Sequence, residues 1–276
     1  MKKKLILMLV CIMVVLTGCG ASTYVDNQTY NMSVFSWNRE LIDNDPADVM
    51  AKLSDYHIDR VYQGLYPENF ESEKTAELVS DLKGLGIETV YLAGDPDWND
   101  ENVVIEWTLD RLIAYNEGVG KRAKIETICY DAEFYSNYRA DEEHFSAYVS
   151  MMEKVSSKAH DSGLHIIYCL PYWLPSLSEN FFKQLIAQAD EVSIMNYDVG
   201  HEADNLTDIY IWCTEAGVKV ESVFETQLAD GVGIMDNNTY YSKGKEAVIG
   251  AADALKDQFP DISIGYHHLT SLLDWD

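Results

Sequence analysis

The feature that most constrains this chain is a unit that recurs eight times along it. Each unit joins a short run of β-branched and aromatic residues to a polar loop and, in most cases, to a longer stretch of helical periodicity. The eight strand candidates are MSVFSW (32–37), DRVYQGL (59–65), IETVYLAG (87–94), KIETICYD (124–131), LHIIYCLP (164–171), EVSIMNYD (191–198), VKVESVFET (218–226) and ISIGYHH (262–268). Eight strand–helix units in about 250 residues are typical of a (β/α)8 TIM barrel.

The helical stretches between the strands agree with an α/β class. They include TAELVSDLKGLG (75–86), NVVIEWTLDRLIAYNEG (102–118), EHFSAYVSMMEKVSSKAHDSG (143–163) and NNTYYSKGKEAVIGAADALKDQF (237–259). Several end on glycine just before the next strand, as helix C-termini prefer. A doubly wound sheet is the main alternative, but no Gly-rich phosphate-binding turn follows any strand candidate. No Pro/Gly/Ser-rich linker divides residues 32–276, so we expect a single barrel domain.

Residues 1–19 carry a targeting pattern: MKKK, then LILMLVCIMVVL, then LTGC. This pattern resembles a bacterial lipoprotein signal peptide with its lipobox. The resemblance implies cleavage before Cys19, lipid attachment to the Cys19 thiol, and a protein anchored to the bacterial membrane outside the cytoplasm. Residues 20–31 would then form a short tether. A transmembrane anchor is the alternative, but the apolar run is short for a membrane span.

The net charge limits the kinds of partner this chain can bind, and the cysteine pattern indicates whether it contains disulfides or metal sites. A net charge of −26 repels nucleic acids and other polyanions, so a neutral or cationic partner is easier to accommodate. Outside the signal, Cys129, Cys169 and Cys213 each lie in an apolar run and predict buried thiols rather than a disulfide framework. No CxxC or HxxxH spacing indicates a metal site, and we expect a monomer without metal or cofactor.

In a (β/α)8 barrel the functional residues collect at the carboxyl ends of the strands. Nearly every predicted strand of this chain ends in an aromatic residue, a carboxylate or both, as in GDPDW (94–98), YDAEFY (130–135) and FET (224–226). Carboxylates perform acid–base chemistry and aromatic rings pack on sugar faces, so the pattern predicts a carbohydrate site. The predicted substrate-contacting residues are Trp37, Tyr66, Trp98, Tyr135, Trp173, Asn196, His267 and Trp275.

Glycoside hydrolysis needs a proton donor to the leaving oxygen and a second group that acts as nucleophile, base or charge stabiliser. Glu133 follows the fourth strand and is the predicted general acid. Asp131 precedes it by two residues, and alternate residues of an extended segment point the same way, so the two carboxyls should share one proton. Tyr197 and Asp198 end strand six and Glu225 ends strand seven, which makes them the other predicted catalytic residues.

Two of these segments, YDAE (130–133) and MNYD (195–198), resemble the motifs of glycoside hydrolase family 18, the chitinase-like barrels. Those motifs read D-x-x-D-x-D-x-E on strand four and M-x-Y-D on strand six. The resemblance implies that Glu133 is the general acid, that Asp131 is the adjacent aspartate, and that Met195, Tyr197 and Asp198 form the strand-six group. It also implies substrate-assisted catalysis, in which the acetamido group of the sugar attacks while the tyrosine and aspartates hold it.

The chain departs from the family pattern on strand four. Glu126 and Cys129 stand where the first two aspartates of the motif would be. This departure keeps open a second reading, a surface lipoprotein that binds glycans without cleaving them. A cell-wall or spore-associated structural role without a ligand is a third. Trp275 lies where the family often has a tryptophan at the floor of the site.

A further alternative is a retaining glycosidase that uses Glu133 and Glu225 as acid and nucleophile. The corresponding clan usually has Asn before the strand-four glutamate, and Ala132 stands there in this chain. Glu225 could instead be a structural carboxylate paired with Arg60 or another cation of the barrel. The segments FETQ (224–227), NNTYYSKG (237–244) and YHHL (266–269) also resemble bacterial exported glycosidase-like barrel proteins.

Overall fold

The computed structural model describes residues 32–37, 41, 47–136 and 142–274. Cys19, the signal, the tether and Trp275 lie outside the described residues. Eight parallel strands form a closed barrel in sequence order, which confirms the predicted (β/α)8 fold. The strands are β1 (Met32–Ser36), β2 (Ile58–Gly64), β3 (Glu88–Ala93), β4 (Thr127–Tyr130), β5 (His165–Pro171), β6 (Glu191–Met195), β7 (Lys219–Glu225) and β8 (Ser263–His267).

Helices surround the barrel between successive strands. They are α1 (Ala47–Asp55), α2 (Pro67–Phe70), α3 (Glu73–Gly84), α4 (Glu101–Ile105), α5 (Arg111–Gly118), α6 (Glu142–Asp161), α7 (Glu179–Ile186), α8 (Glu202–Ala216), α9 (Lys245–Gln258) and α10 (Leu269–Asp274). A π-helical turn, Glu106–Asp110, joins α4 to α5. Within the described chain, no helix is both long and apolar enough to span a membrane.

Local sequence explains where several helices start and stop. Asp100 begins α4 by accepting the amide hydrogen of Asn102 at 2.8 Å, and Ser178 begins α7 by accepting that of Phe181 at 3.2 Å. These are side chains that favour the N-cap position. Gly217 ends α8 with φ of 75°, a left-handed conformation that costs glycine little. The predicted helix over 237–259 is shorter than expected, since α9 begins only at Lys245.

The barrel interior has an apolar layer toward the carboxyl ends of the strands. Its members are buried residues from seven of the strands: Phe35, Tyr62, Val90, Leu92, Cys129, Ile167, Cys169, Met195 and Val223. Cys129, Cys169 and Cys213 are buried free thiols, which confirms the prediction for them. Trp37, Tyr135 and Tyr197 pack on this layer from above, so the apolar layer forms the floor of the barrel mouth.

A polar cluster fills the opposite, amino-terminal end of the barrel. Arg60 forms ion pairs with Glu88 at 3.0 Å and with Glu191 at 2.6 Å. The Tyr62 hydroxyl donates to Glu221 at 2.8 Å, and burial raises the pKa of the Glu221 carboxyl. Arg60 therefore stabilises glutamates at the bottom of the barrel. The alternative that it pairs with Glu225 is wrong, because Glu225 lies at the other end of its strand.

A candidate active site at the carboxyl ends of the strands

The barrel mouth brings together side chains from strands that are distant in sequence. The rings of Tyr197 and His267 have centroids 5.9 Å apart, and the rings of Phe35 and His267 have centroids 6.1 Å apart. Glu225 contacts His267 directly. Burial and the charge of Glu133 raise the pKa of Asp131, and His267 lies near enough for a positive imidazole to offset part of this rise. Residues from β1, β4, β6, β7 and β8 thus meet at one point.

Asp131 is a half-buried residue whose carboxyl oxygen Oδ1 points away from solvent. Its backbone amide donates to the carbonyl oxygen of Ala93 at 2.8 Å, which fixes the chain immediately after β4. Its Oδ1 atom is buried and has no hydrogen-bond partner among the described residues. Burial, followed by the negative charge of Glu133, raises the pKa of Asp131 to about 7. This carboxyl can therefore hold a proton close to neutral pH.

Glu133 is exposed and stands in an unusual backbone conformation. Its φ is +41°, in the left-handed region that residues other than glycine seldom adopt, at a cost on the order of 1–3 kcal/mol. The Tyr135 hydroxyl lies 3.5 Å from Glu133 Oε1. The expectation that Asp131 and Glu133 point the same way on one extended segment is wrong, because β4 ends at Tyr130. The charge of Glu133 still reaches Asp131, since after burial it contributes to the raised pKa of that carboxyl.

Tyr197 and Asp198 are neighbours in sequence, but their side chains lie in different parts of the barrel mouth. Burial and the charge of Glu225 hold the pKa of Tyr197 well above its usual range, so its hydroxyl stays protonated and can donate a hydrogen bond. Asp198 lies beside Tyr172 and, after burial, contributes to the raised pKa of that phenol. Tyr197 therefore belongs to the centre of the mouth, whereas the contacts of Asp198 are on the side of β5.

Glu225 is almost entirely buried, with 3% of the residue exposed. Its Oε1 accepts the backbone amides of Thr226 at 2.9 Å and Gln227 at 2.7 Å. Its Oε2 lies 2.9 Å from Nδ1 of His267. Both oxygens are engaged, which favours a role in holding His267 over the predicted role as a nucleophile. His268 follows His267 but stays neutral, because burial lowers its pKa to about 4.

Asn196 is placed differently from the other predicted substrate contacts. Its amide donates to the carbonyl oxygen of Glu202 at 3.0 Å and to Ser222 Oγ at 3.2 Å, and it accepts a hydrogen bond from Asn205 at 3.0 Å. The residue is buried. Asn196 thus ties β6 to β7 and α8, and the predicted contact with substrate finds no support in its position.

Two cavities flank Trp37 at the mouth. One has a volume of about 470 Å³ and lies beside β2 and β3, and the other has a volume of about 620 Å³ and lies beside β7 and β8. The first is lined by Tyr66, Trp98 and Trp107, among others. The second is lined by Tyr241, His267 and His268, among others. Trp37 lines both cavities, which we call the first and second lobes of the groove.

The rings around this groove include one that sequence reasoning missed. Tyr66 and Trp107 are 52% and 48% exposed, and both line the first lobe. Trp107 lies in the π-helical turn, and the sequence pattern there predicts a residue that packs a helix against the barrel. The sequence signal available for Trp107 was a tryptophan on the helical segment that follows the loop after strand three. Trp173 lies outside both lobes and packs edge-on against Tyr135, with centroids 5.0 Å apart.

The groove is acidic. Asp95 and Asp97 line the first lobe, and Asp230 and Asp274 line the second. Among the described residues that line either lobe there is no lysine or arginine. The part of the chain that the structure describes also has no group of three or more His, Cys, Asp or Glu side chains arranged to hold a metal ion.

These features define a class: a (β/α)8 barrel with a carboxylate and aromatic site at the carboxyl ends of its strands. Comparison with family models finds no match, and neither does a search of curated proteins. The fold is similar to that of the spore cortex-lytic enzyme SleL of Bacillus megaterium QM B1551, with a TM-score of 0.55 and 10% identity over 87% of this chain and 70% of that one.

Two further solved structures are similar in the same way. A chitinase from Chromobacterium violaceum ATCC 12472 has a TM-score of 0.54 and 13% identity, over 87% of this chain and 94% of that one. The probable 3-DHS dehydratase AsbF from Bacillus anthracis has a TM-score of 0.57 and 9% identity, over 87% of this chain and 93% of that one. At these identities the likeness shows the fold alone. It is a fold of glycoside hydrolase-like barrels and also of barrels with other chemistry.

Proposed function

We propose that this protein is a glycoside hydrolase that acts on a neutral or N-acetylated oligosaccharide, with Glu133 as its general acid. The observation that carries the proposal is an exposed Glu133 two residues after a half-buried Asp131 at the barrel mouth. Burial and the charge of Glu133 raise the pKa of Asp131, so the pair holds a proton near neutral pH. Proton donation to a leaving oxygen requires a carboxyl that keeps its proton near the working pH, and a raised pKa provides one.

The neighbouring groups fit the steps of substrate-assisted hydrolysis. Glu133 gives its proton to the glycosidic oxygen as the bond from that oxygen to the anomeric carbon breaks. The acetamido oxygen of the sugar then bonds to the anomeric carbon, and Asp131 and the protonated hydroxyl of Tyr197 hold the acetamido group. Water opens the resulting ring and gives a proton back to the Glu133 carboxylate. The resemblance to family 18 supplies this scheme, and the positions of the three residues are compatible with it.

The groove supports an oligosaccharide rather than a single sugar. Trp37 lines both lobes, so an oligosaccharide that contacts this ring can place sugar units in each of them. Tyr66 and Trp107 offer exposed rings in the first lobe, where the apolar faces of sugar units can pack. The similar fold of a chitinase and of a cortex-lytic enzyme agrees with this class of substrate.

The proposed location follows from the amino-terminal pattern. Lipid attached to Cys19 would hold a monomeric barrel at the outer side of the bacterial membrane, where glycans are accessible. Metabolic labelling with a fatty acid, in wild type and in Cys19→Ser, tests the anchor. Incorporation that persists in Cys19→Ser would overturn it.

The decisive experiment compares the purified wild-type protein with Glu133→Gln on neutral and N-acetylated oligosaccharides, following anomeric signals by NMR. We expect the variant to lose turnover by about 10²–10⁴-fold, the range for a general acid, with affinity retained. Glu143→Gln, an exposed glutamate of α6, is the matched control. Full activity of Glu133→Gln would overturn the assignment.

A second candidate is a glycan-binding protein without catalysis. The observation that favours it is Cys129, which is fully buried in the apolar floor where family 18 has an aspartate. It predicts saturable binding by both wild type and Glu133→Gln, with no cleavage by either.

A further inference from the structure

We propose that His267 determines which sugar units the second lobe accepts, because its Nε2 atom accepts a hydrogen bond from a hydroxyl of the bound sugar. Glu225 is the positioning residue that keeps Nε2 in its accepting state. The inference rests on the proposed function and deepens it, since it names the ligand group that the second lobe recognises. It also gives the Glu225 carboxylate, whose two oxygens are both engaged, a task other than attack on the sugar.

The contact between Glu225 and His267 sets the tautomer of the imidazole. The two residues are paired across β7 and β8, and Glu225 is only 3% exposed. Backbone amides of Thr226 and Gln227 occupy Oε1 of Glu225, which leaves Oε2 to face Nδ1 of His267 at 2.9 Å. An ionised carboxylate accepts hydrogen bonds and donates none, so the hydrogen lies on Nδ1. In the neutral imidazole, Nε2 is then an acceptor.

The orientation of the His267 ring is fixed as well as its tautomer. The hydroxyl of Thr226 donates to the carbonyl oxygen of His267 at 2.9 Å, which holds the backbone. Phe35 and Tyr197 pack against the ring, with centroids 6.1 and 5.9 Å away. A half-turn of the imidazole would place a C–H group against Oε2 of Glu225 and leave that buried oxygen without its partner, which is unfavourable. Nε2 therefore points in one direction.

Nε2 of His267 faces the second lobe. The His267 side chain is 19% exposed and lines the cavity of about 620 Å³ beside β7 and β8. Within the part of the chain that the structure describes, Nε2 forms no hydrogen bond, and it is not enclosed by protein. A ligand that displaces water from such a nitrogen has to supply a donor in its place. A sugar hydroxyl does so, whereas a fluorine at the same position leaves Nε2 unpaired.

The rest of the second lobe suits a neutral sugar unit that donates hydrogen bonds. The carboxylates of Asp230 and Asp274 line it, and Tyr241 offers a ring on which a sugar face can pack. No lysine or arginine stands among the described residues of this lobe. A sugar unit that carries a carboxylate or a sulfate would therefore meet like charges and no cation. Hydroxyl donors are the groups that this wall recognises.

The tautomer is tested by nitrogen-15 NMR of the His267 ring, with His267→Phe to assign its signals. We expect the Nδ1–H form in the wild type at the alkaline end of a pH series, where the neutral ring is observed. In Glu225→Gln the introduced carbonyl oxygen keeps the two backbone amides, so the introduced NH2 group faces Nδ1 and donates to it. The hydrogen then moves to Nε2, which turns the acceptor into a donor. A neutral wild-type ring with its hydrogen on Nε2 would overturn the proposal.

The hydroxyl contact is tested by calorimetry in the Glu133→Gln background, so that no ligand is cleaved. The probes are the tetramers of glucose and of N-acetylglucosamine, and analogues of the tighter binder in which fluorine replaces one hydroxyl at a time. Fluorine cannot donate, so we expect one analogue to bind His267-containing protein about tenfold more weakly than its parent, the loss typical of one hydrogen bond. Glu143→Gln, an exposed glutamate of α6, is the matched control and should keep this difference.

The two site variants should remove the difference for separate reasons. His267→Phe has no acceptor, and in Glu225→Gln an N–H group faces the fluorine. A difference that persists in both variants would show that another group binds the hydroxyl. Circular dichroism identifies a variant that fails to fold, and the other variant then carries the test.

The outcomes also separate this inference from the glycosidase assignment. Cleavage by the wild type, with every fluorinated analogue bound as tightly as its parent, would contradict the role of His267 and leave the glycosidase standing. A loss that depends on His267, without cleavage by the wild type, would support the inference and favour the glycan-binding candidate. Failure of the wild type to bind either tetramer would rule out the inferred contact.

Discussion

A Cβ atom on Gly94 would lie 2.0 Å from the carbonyl oxygen of Asp131. Side-chain atoms do not approach a backbone oxygen so closely, so β3 and the turn after β4 can meet only because residue 94 is glycine. The glycine therefore sets the position of the carboxyl at the centre of the proposed site.

Gly94→Ala should displace the turn that carries Asp131 and Glu133. We expect a loss of stability of about 1–3 kcal/mol, as for other overpacked sites, and a larger relative loss of turnover. Gly250→Ala is the control, because it lies in α9 with no atom near its Cβ and should stabilise the protein by roughly 0.5–1 kcal/mol. Chemical denaturation measures the free energy of unfolding of both variants, and a turnover assay measures their activity. Wild-type turnover in Gly94→Ala would show that the close approach is not needed.

The raised pKa of Asp131 makes stability depend on pH. The carboxyl titrates near 3.8 when unfolded and at about 7 when folded, so the folded state holds its proton more tightly. This stabilisation is complete below pH 3.8 and is lost as pH rises to about 7. Asp131→Asn removes the dependence. The variant should therefore gain stability relative to wild type between pH 4 and 7, by up to roughly 3 kcal/mol. A difference in unfolding free energy that does not change with pH would contradict this.

The exposed rings of the first lobe should contribute to binding of long substrates. We expect Tyr66→Ala and Trp107→Ala each to weaken affinity for a long oligosaccharide about tenfold, equivalent to about 1.4 kcal/mol. A short ligand that fills only the second lobe should bind as before. Ile211→Ala, an exposed apolar residue on α8, is the control. Calorimetry in the Glu133→Gln background measures all of these. Equal losses for long and short ligands would exclude the proposed lobe.

The polar cluster at the bottom of the barrel should matter for stability and not for the reaction. Arg60→Met leaves Glu191 and Glu221 buried without their cation, a change that typically costs about 3–5 kcal/mol. Lys158→Met removes a surface pair with Asp110 and should cost less than about 1 kcal/mol. Chemical denaturation compares the free energies of unfolding of Arg60→Met and Lys158→Met. A pH profile of turnover that changes in Arg60→Met would mean that the two ends of the barrel are coupled.

Much of this fold was readable from local pattern. Strand runs and helical periodicity depend on residues close in the chain. The mouth residues Trp37, Asp131, Tyr197 and His267 could be predicted because they lie at or near the carboxyl ends of strand candidates. The helix expected over 237–259 failed for a tertiary reason. Tyr240 donates its backbone amide to the carbonyl oxygen of Glu225 at 2.9 Å, and this contact with the end of β7 competes with local helix formation.

The sequence by itself determined the barrel, the end of it where the candidate site lies, and the candidate carboxyl pair, because hydrophobic periodicity and strand ends depend on residues close together in the chain. Only the tertiary structure decided how those side chains pair. It placed Arg60 with Glu88 and Glu191, engaged both oxygens of Glu225, and exposed Trp107 in the groove. Which side chains form ion pairs and hydrogen bonds depends on the strand register around the closed barrel and on which groups are buried. Both are set by residues far apart in the chain.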